Sequence, residues 1–272
     1  MSELPEVETI RRDLEPLITG RTITGAWVSD NAPRLVQLLT PDEFCRQLTG
    51  LRIQSLSRRG KYLILNLDAA LMWVVHLRMT GRFQHEAQGC PDTPYLRAHF
   101  DLDDGSHLCF IDLRKFGMMW LLDDWALVNP DLGPEPLEDN FDLGAFRAAL
   151  KRRSAPVKSV LLDQSVIAGV GNIYADEALF AAGISPRRAA SSLTKPAVQR
   201  LHAAIREVLT RALGDRGSSF RDYVDASGRE GGHQLNVKVF RRTGEPCHRC
   251  GAEVRRIKLG SRSTHYCPRC QR

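Results

Sequence analysis

The sequence predicts an α+β protein of two domains: an N-terminal antiparallel β-sandwich or barrel that opens on a helix, then a C-terminal helical domain ending in a cysteine hairpin. Three observations carry this. Seven apolar, β-branched segments follow one another in the first half of the chain with no helix between them, the pattern of an antiparallel sheet protein. Asn129-Pro-Asp-Leu-Gly-Pro-Glu-Pro136 then breaks both helix and strand. Beyond it, apolar residues recur at helical spacing until the chain closes on two Cys-x2-Cys pairs.

The first helix is expected from Pro5 to Ile18. Pro5 suits its first turn, Gly20 follows its end, and Val7, Ile10, Leu14 and Leu17 fall on one face. Pro16 should distort its last turn. The strands are expected at Thr22–Ser29, Leu51–Ser57, Tyr62–Leu67, Met72–Leu77, Ala98–Leu102, His107–Asp112 and Gly117–Leu122. Helices follow at Leu143–Lys151, Pro156–Asp163, Ile173–Ala182 and Pro196–Leu213, the last with Thr194 as N-cap and Leu201, Ile205, Val208 and Leu209 as its buried stripe. The domains are therefore drawn at 1–130, 131–235 and 236–272. In Ala168-Gly-Val-Gly-Asn-Ile173, Gly169 and Gly171 allow close approach of the backbone, and Asn172 is placed to cap the next helix. Exposed amides at a helix start bind anions; a tight helical turn explains the two glycines equally well when they are taken alone.

Charge separates these regions. Lys238 to Arg272 holds ten Lys or Arg against two acids, and the rest holds 28 against 30, so the net +6 comes wholly from the terminal hairpin. A concentrated basic patch attracts a polyanion and releases its counterions, which points to nucleic acid. Within that patch, Cys247 and Cys250 are separated by sixteen residues from Cys267 and Cys270. Each pair offers two thiolates from one turn, and four sulfurs suit one structural Zn²⁺. Cys45, Cys90 and Cys109 have no regular spacing and read as reduced thiols of a cytosolic protein. Glu3, Glu6 and Glu8 argue against a signal peptide, and no apolar run approaches the roughly eighteen residues of a membrane span.

Seven short runs resemble one family, in order: Ser-Glu-Leu-Pro-Glu-Val-Glu-Thr at 2–9, Arg-Gly-Lys-Tyr at 59–62, His-Leu-Arg-Met-Thr-Gly at 76–81, Asp-Leu-Arg-Lys-Phe-Gly at 112–117, Leu-Gly-Pro-Glu-Pro-Leu at 132–137, Ala-Gly-Val-Gly-Asn-Ile-Tyr-Ala at 168–175 and Gly-Glu-Pro-Cys at 244–247. End to end, the chain resembles the bacterial formamidopyrimidine-DNA glycosylases. The resemblance implies an N-terminal β-sandwich, a helix–two-turn–helix module and a zinc-finger β-hairpin. It implies a monomeric enzyme of the bacterial cytoplasm and nucleoid. Its partner would be double-stranded DNA carrying oxidised purines or abasic sites, with base excision followed by β,δ-elimination.

By the same resemblance, the nucleophile is the α-amine exposed by removal of Met1, and here that residue is Ser2 where the family has proline. Glu3 matches the general acid/base, with Glu6 in support and Glu8 a helix-start carboxylate. Lys61 and Arg262 match the residues that hold phosphate and assist elimination. Met79, Arg114 and Phe116 match the side chains that fill the gap left by a flipped base. His76, Lys115, Arg153 and Asn172 match phosphate contacts, and Arg97 stands where the family usually has a DNA-contacting histidine. Ser218–Gln234 matches the loop over a flipped 8-oxoguanine, a feature of the purine-specific branch.

The chemistry of a terminal amine explains such a choice. Near pH 7 roughly one α-amine in seven is uncharged, against fewer than about one lysine in a thousand. An imine to C1′ acidifies the C2′ proton and opens the way to elimination. A serine amine retains this chemistry but lacks the ring that restricts proline's orientation, so a slower enzyme is expected. Two other readings fit the same residues: a lesion-binding relative without lyase activity, and an endonuclease VIII-like glycosylase acting on oxidised pyrimidines.

Overall fold

The apolar stripe of the first helix decides what the N-terminal unit is built around. In the computed structural model, which describes residues 2–220 and 222–272, α1 (Leu4–Ile18) buries Val7, Ile10, Leu14 and Ile18. Leu17, expected on that face, is exposed, because a step of four from Leu14 keeps Ile18 in line instead. Pro5 occupies the first turn, and the helix carries through Pro16 to end two residues later. Glu8 is more than a helix-start carboxylate: it takes Arg11, Arg12 and, from the neighbouring sheet, Arg58 Nε at 3.2 Å. Burial works to raise its carboxyl, but the hydrogen bonds from Arg11 and Arg12 outweigh burial and hold it below the ordinary value.

Two four-stranded antiparallel sheets follow. One runs β1 (Ile23–Val28), β6 (Leu96–Leu102), β7 (His107–Asp112), β5 (Gly81–Glu86); the other runs β2 (Ile53–Arg59), β3 (Tyr62–Leu67), β4 (Met72–His76), β8 (Met118–Leu122). Trp73 of β4 packs 4.3 Å from Phe100 of β6 and 5.5 Å from Phe83 of β5, centroid to centroid, so the core lies between two facing sheets. One helix and one strand of this unit go beyond the sequence expectations. Helix α2 (Pro41–Leu48) begins with Thr40 and Glu43 capping each other's backbone and Pro at its first position, a signature present in the sequence. Strand β5 escapes periodicity because Arg82, Gln84, His85 and Glu86 leave it little apolar character.

This unit comprises the chain up to Pro130 together with Asp215–Gly232; a second unit comprises Asp131–Gly214 and His233–Arg272. The Asp215–Gly232 segment, expected with the helical domain, thus returns to the first unit. Tyr223 and Ala226 join the sandwich core, and His85 N–H donates to Ala226 O at 3.0 Å. Cys90 and Cys109 are bonded as a disulfide, which corrects the expectation of three reduced thiols; Cys45 stays free. The β5–β6 loop folds back to bring Cys90 against β7, a proximity that a separation of 19 residues did not reveal.

In the second unit, α3 (Leu143–Lys151), α4 (Val157–Leu161), α5 (Asn172–Ala182) and α6 (Lys195–Gly214) lie near their expected bounds, and β9 (Arg255–Leu259) pairs with β10 (Arg262–Tyr266). A hairpin of two short strands is not stable by itself, and buried charge anchors this one. Lys158 of α4 pairs with Asp176 of α5 at 2.7 Å and donates to Ser263 O and Thr264 Oγ1. Glu177 accepts the amides of Lys238, Val239 and Phe240 at 2.8–2.9 Å. Each acid is fully buried and each carries several donors, as buried charge requires.

One turn on the sandwich tolerates no side chain. A Cβ on Gly117 would lie 2.4 Å from Cζ of the buried Phe110. Gly117→Ala should therefore cost about 1–3 kcal/mol through overpacking, read as a lowered midpoint in thermal denaturation; an unchanged midpoint contradicts this packing.

Candidate active site and nucleic-acid interface

The residues just ahead of α1 are buried. Ser2, Glu3 and Glu6 are all inaccessible to solvent or nearly so. Ser2 N–H donates to Arg78 O at 3.1 Å, and Glu3 N–H donates to Glu6 Oε2 at 2.8 Å. The other Glu6 oxygen accepts Ser218 N–H at 2.8 Å, so one carboxylate links the N-terminal turn of α1 to the returning segment. Met1 lies outside the described residues, as does Arg221 of the Ser218–Gln234 stretch.

His76 closes β4 and supports this arrangement. Its Nδ1 accepts the Arg78 amide at 3.0 Å, which places the ring proton of the neutral form on Nε2. Its edge-on contact with Tyr62 brings the ring centroids to 4.7 Å. Burial, then the charges of Arg78 and Lys61, depress its pKa to about 3. His76 is therefore a neutral hydrogen-bonding group. Lys61 sits in the two-residue turn between β2 and β3, where Gly60 adopts φ +56°, a conformation that glycine takes without strain.

Met79, Arg114 and Phe116 come together on the surface of the same unit. The Arg114 guanidinium lies 4.7 Å from the Phe116 ring centroid and its Nη1 is 3.2 Å from Met79 Sδ, with Phe116 half exposed. The buried Asp112 carboxylate shapes their platform by accepting Thr80 Oγ1–H, Arg114 N–H and Gly117 N–H. Lys115, between them, is exposed and left-handed at φ +58°. Asp112 stands in the 112–117 run, yet only its bonding partners reveal that role. Arg97 departs from expectation: it is buried, and its guanidinium donates to Asp112 O and Pro94 O at 2.9 Å each. It lies at the register irregularity of β6 between Leu96 and Ala98, where these two backbone carbonyls receive its guanidinium.

In the second unit Asn172 is the first residue of α5, and Gly171, not Asn172, is the N-cap. Arg153 pairs with Asp163 and keeps part of its surface exposed. Arg262 is exposed and opens β10 directly after the Gly260–Ser261 turn, in which Gly260 also takes φ +56°. The Sγ atoms of Cys247, Cys250, Cys267 and Cys270 all lie within 4.8 Å of one another. Two of the separations are 3.9 and 3.5 Å; a tetrahedral ion with sulfur at about 2.3 Å sets edges of about 3.8 Å. Arg249 N–H and Cys270 N–H point at Cys247 and Cys267 sulfur, as they would at thiolates. The four cysteines fit one metal ion.

Comparison with known proteins agrees along the whole chain. Residues 1–119 match the formamidopyrimidine-DNA glycosylase N-terminal domain, 132–223 its H2TH domain, and 244–272 the zinc finger found in FPG and IleRS. These models define a class of DNA glycosylases. The formamidopyrimidine-DNA glycosylase of Heliobacterium modesticaldum is 48% identical with both chains fully covered, and that of Chloroflexus aggregans is 45% identical over 100% of this chain and 98% of its own. Among solved structures, Lactococcus lactis Fpg in complex with abasic-site DNA superposes with a TM-score of 0.92 at 38% identity, covering both chains fully. Thermus thermophilus MutM (Fpg) gives 0.89 at 41% identity, covering 99% of this chain and 98% of its own. The chain belongs to the formamidopyrimidine-DNA glycosylase family.

The depressed histidine makes a prediction with a definite sign. Between pH 6.5 and about 3 the unfolded chain takes up a proton that folded His76 refuses, so this residue lowers stability as pH falls from 6.5. Comparing pH 7 with pH 5, His76→Gln should lose about 2 kcal/mol less stability than the parent in denaturant titrations. Parallel losses in the two proteins contradict a neutral, buried His76.

Proposed function

We propose that this chain is a bifunctional DNA glycosylase and abasic-site lyase that removes oxidised purines, 8-oxoguanine and formamidopyrimidines, from double-stranded DNA. The observation that carries this reading is the Ser2 nitrogen, buried ahead of the acid Glu3 and held on Arg78 O. Once Met1 is removed, that nitrogen is a primary amine. Its lone pair attacks C1′ and the damaged base departs. Glu3 takes up the amine's proton and delivers one to the sugar ring oxygen or the leaving base, a positioned acid/base of the kind that contributes about 10²–10⁴-fold. The resulting C1′ imine withdraws electrons from the C2′–H bond, so loss of that proton expels the 3′ phosphate, and a second elimination expels the 5′ phosphate.

The remaining residues bind and orient. Lys61 and Arg262 stand at the tips of two glycine turns and neutralise phosphate, Arg262 as a fork suited to two phosphate oxygens. Phe116 wedges the stack, Met79 fills the gap, and Arg114 hydrogen-bonds the orphaned base. Lys115, Arg153 and Asn172 contact phosphate, His76 through a neutral Nε2–H; Arg97 acts only by shaping the sheet behind them. The four-cysteine site holds one Zn²⁺, which is structural and keeps the arginine-rich hairpin folded. Among the described residues, no helix is long and apolar enough to cross a membrane. The bacterial cytoplasm, with its nucleoid, is the compartment that supplies the substrate.

Loop Ser218–Gln234 favours purine lesions, and its first residue, Ser218, bonds to Glu6 in the N-terminal turn. The test uses two preparations, one with Met1 removed and one retaining it, on duplexes carrying 8-oxoguanine or thymine glycol. The processed protein should release 8-oxoguanine and nick the strand, and the unprocessed protein should lose at least about a hundredfold in rate. Faster release of thymine glycol, or equal rates with Met1 retained, contradicts the reading.

A further inference from the structure

Two carboxylates on one guanidinium tie the Asp215–Gly232 segment to α1. Arg216 Nη2 lies 2.6 Å from Asp13 Oδ2, on the helix, and also meets Asp225 Oδ2, within the segment. Arg229 Nε reaches the same Asp225 oxygen at 3.3 Å. The second Asp225 oxygen accepts the amides of Ser227 and Arg229 at 2.9 Å each. Exposed ion pairs contribute little, but the Asp225 side chain is 1% exposed and collects four donors. Burial works to raise its carboxyl, and the hydrogen bond from Arg216 and the two amides outweigh burial and lower it.

The backbone at Arg216 shows what the network holds. Arg216 takes φ +60° and Gly217 φ +80°, and a non-glycine residue keeps a left-handed conformation only where its surroundings impose it. This double reversal turns Ser218 N–H onto Glu6 Oε1 at 2.8 Å. A Cβ on Gly217 would come 3.0 Å from Glu6, and one on Gly231 would come 2.3 Å from Gly217 O. The segment is therefore closed at its neck and registered on the residue that also bonds Glu3.

We propose that Asp13 and Asp225, acting through Arg216, are positioning residues that hold this segment in register with the N-terminal turn and so set the rate of damaged-base excision. The inference rests on the reading of the segment as the part that contacts the extruded base. An abasic site has no base to hold, so strand cleavage there does not depend on the network. Sugar chemistry and base selection are thereby separable in one protein.

Asp225→Asn is a fitting probe because an amide preserves shape and one acceptor oxygen for the Ser227 and Arg229 amides while removing the charge facing Arg216. Asp13→Asn tests the helix end of the same link. Hydrogen–deuterium exchange of the full chain should speed up by about tenfold or more across Ser218–Gly232 in either variant, with α1 and the sandwich strands unchanged. Single-turnover release of 8-oxoguanine should fall about tenfold, and cleavage of abasic-site duplex should change less than about twofold. Unchanged exchange in the segment, or equal loss of both activities, overturns the proposal. If the unsubstituted protein releases no 8-oxoguanine, the lesion reading fails and the proposed effect on excision falls with it, while faster exchange would still establish the tether itself.

Discussion

The proposed chemistry needs the Ser2 nitrogen held still, and the buried Glu6 carboxylate fixes the turn directly behind it. One oxygen takes the Glu3 amide and the other the Ser218 amide, each at 2.8 Å. Charge-assisted bonds of this kind are shorter and stronger than neutral ones. Ser2 is meanwhile fixed from the other side by Arg78 O, itself placed by the bond from the Arg78 amide to His76. The apolar stripe of α1 then locks the turn to the sandwich. Without that carboxylate, the first residues would lose their tie to the returning segment while keeping the stripe and the Ser2–Arg78 bond.

The same device recurs at three further buried acids. Asp112 gathers the hydroxyl and amides beneath Arg114 and Phe116, Glu177 gathers three amides ahead of the cysteine hairpin, and Asp225 gathers two amides and two guanidinium groups. Loops carry backbone amides with no ladder to join, and a buried carboxylate needs several donors to offset its desolvation. Each requirement satisfies the other. Cationic side chains are handled differently: Lys61 and Arg262 are placed by hairpin turns whose glycines adopt φ +56°.

Much of this was legible in the sequence, for physical reasons that differ by element. Helices α3 to α6 follow from apolar spacing, and the four cysteines follow from ligand spacing alone, since both signals are local. The surface trio was found through resemblance, because Met79 is separated in sequence from Arg114 and Phe116 and meets Arg114 only in the fold, beside the bond from the Arg114 amide to Thr80. Strand β5 was hidden by its polar face, and α2 was missed despite a readable capping box. Pairings at long range stayed invisible: Glu6 with Ser218, Asp13 with Arg216, and Cys90 with Cys109. Arg97 marks the limit of carrying a role by position, since its neighbours decide where its charge goes.

On the proposed chemistry the first nitrogen of the processed chain, and no lysine, bonds to the sugar. The direct measurement is to reduce the complex with abasic-site DNA using borohydride, digest the protein, and locate the sugar remnant by tandem mass spectrometry. The remnant is expected on the Ser2 α-nitrogen of the N-terminal peptide. A remnant on Lys61, or on any other side chain, would contradict it.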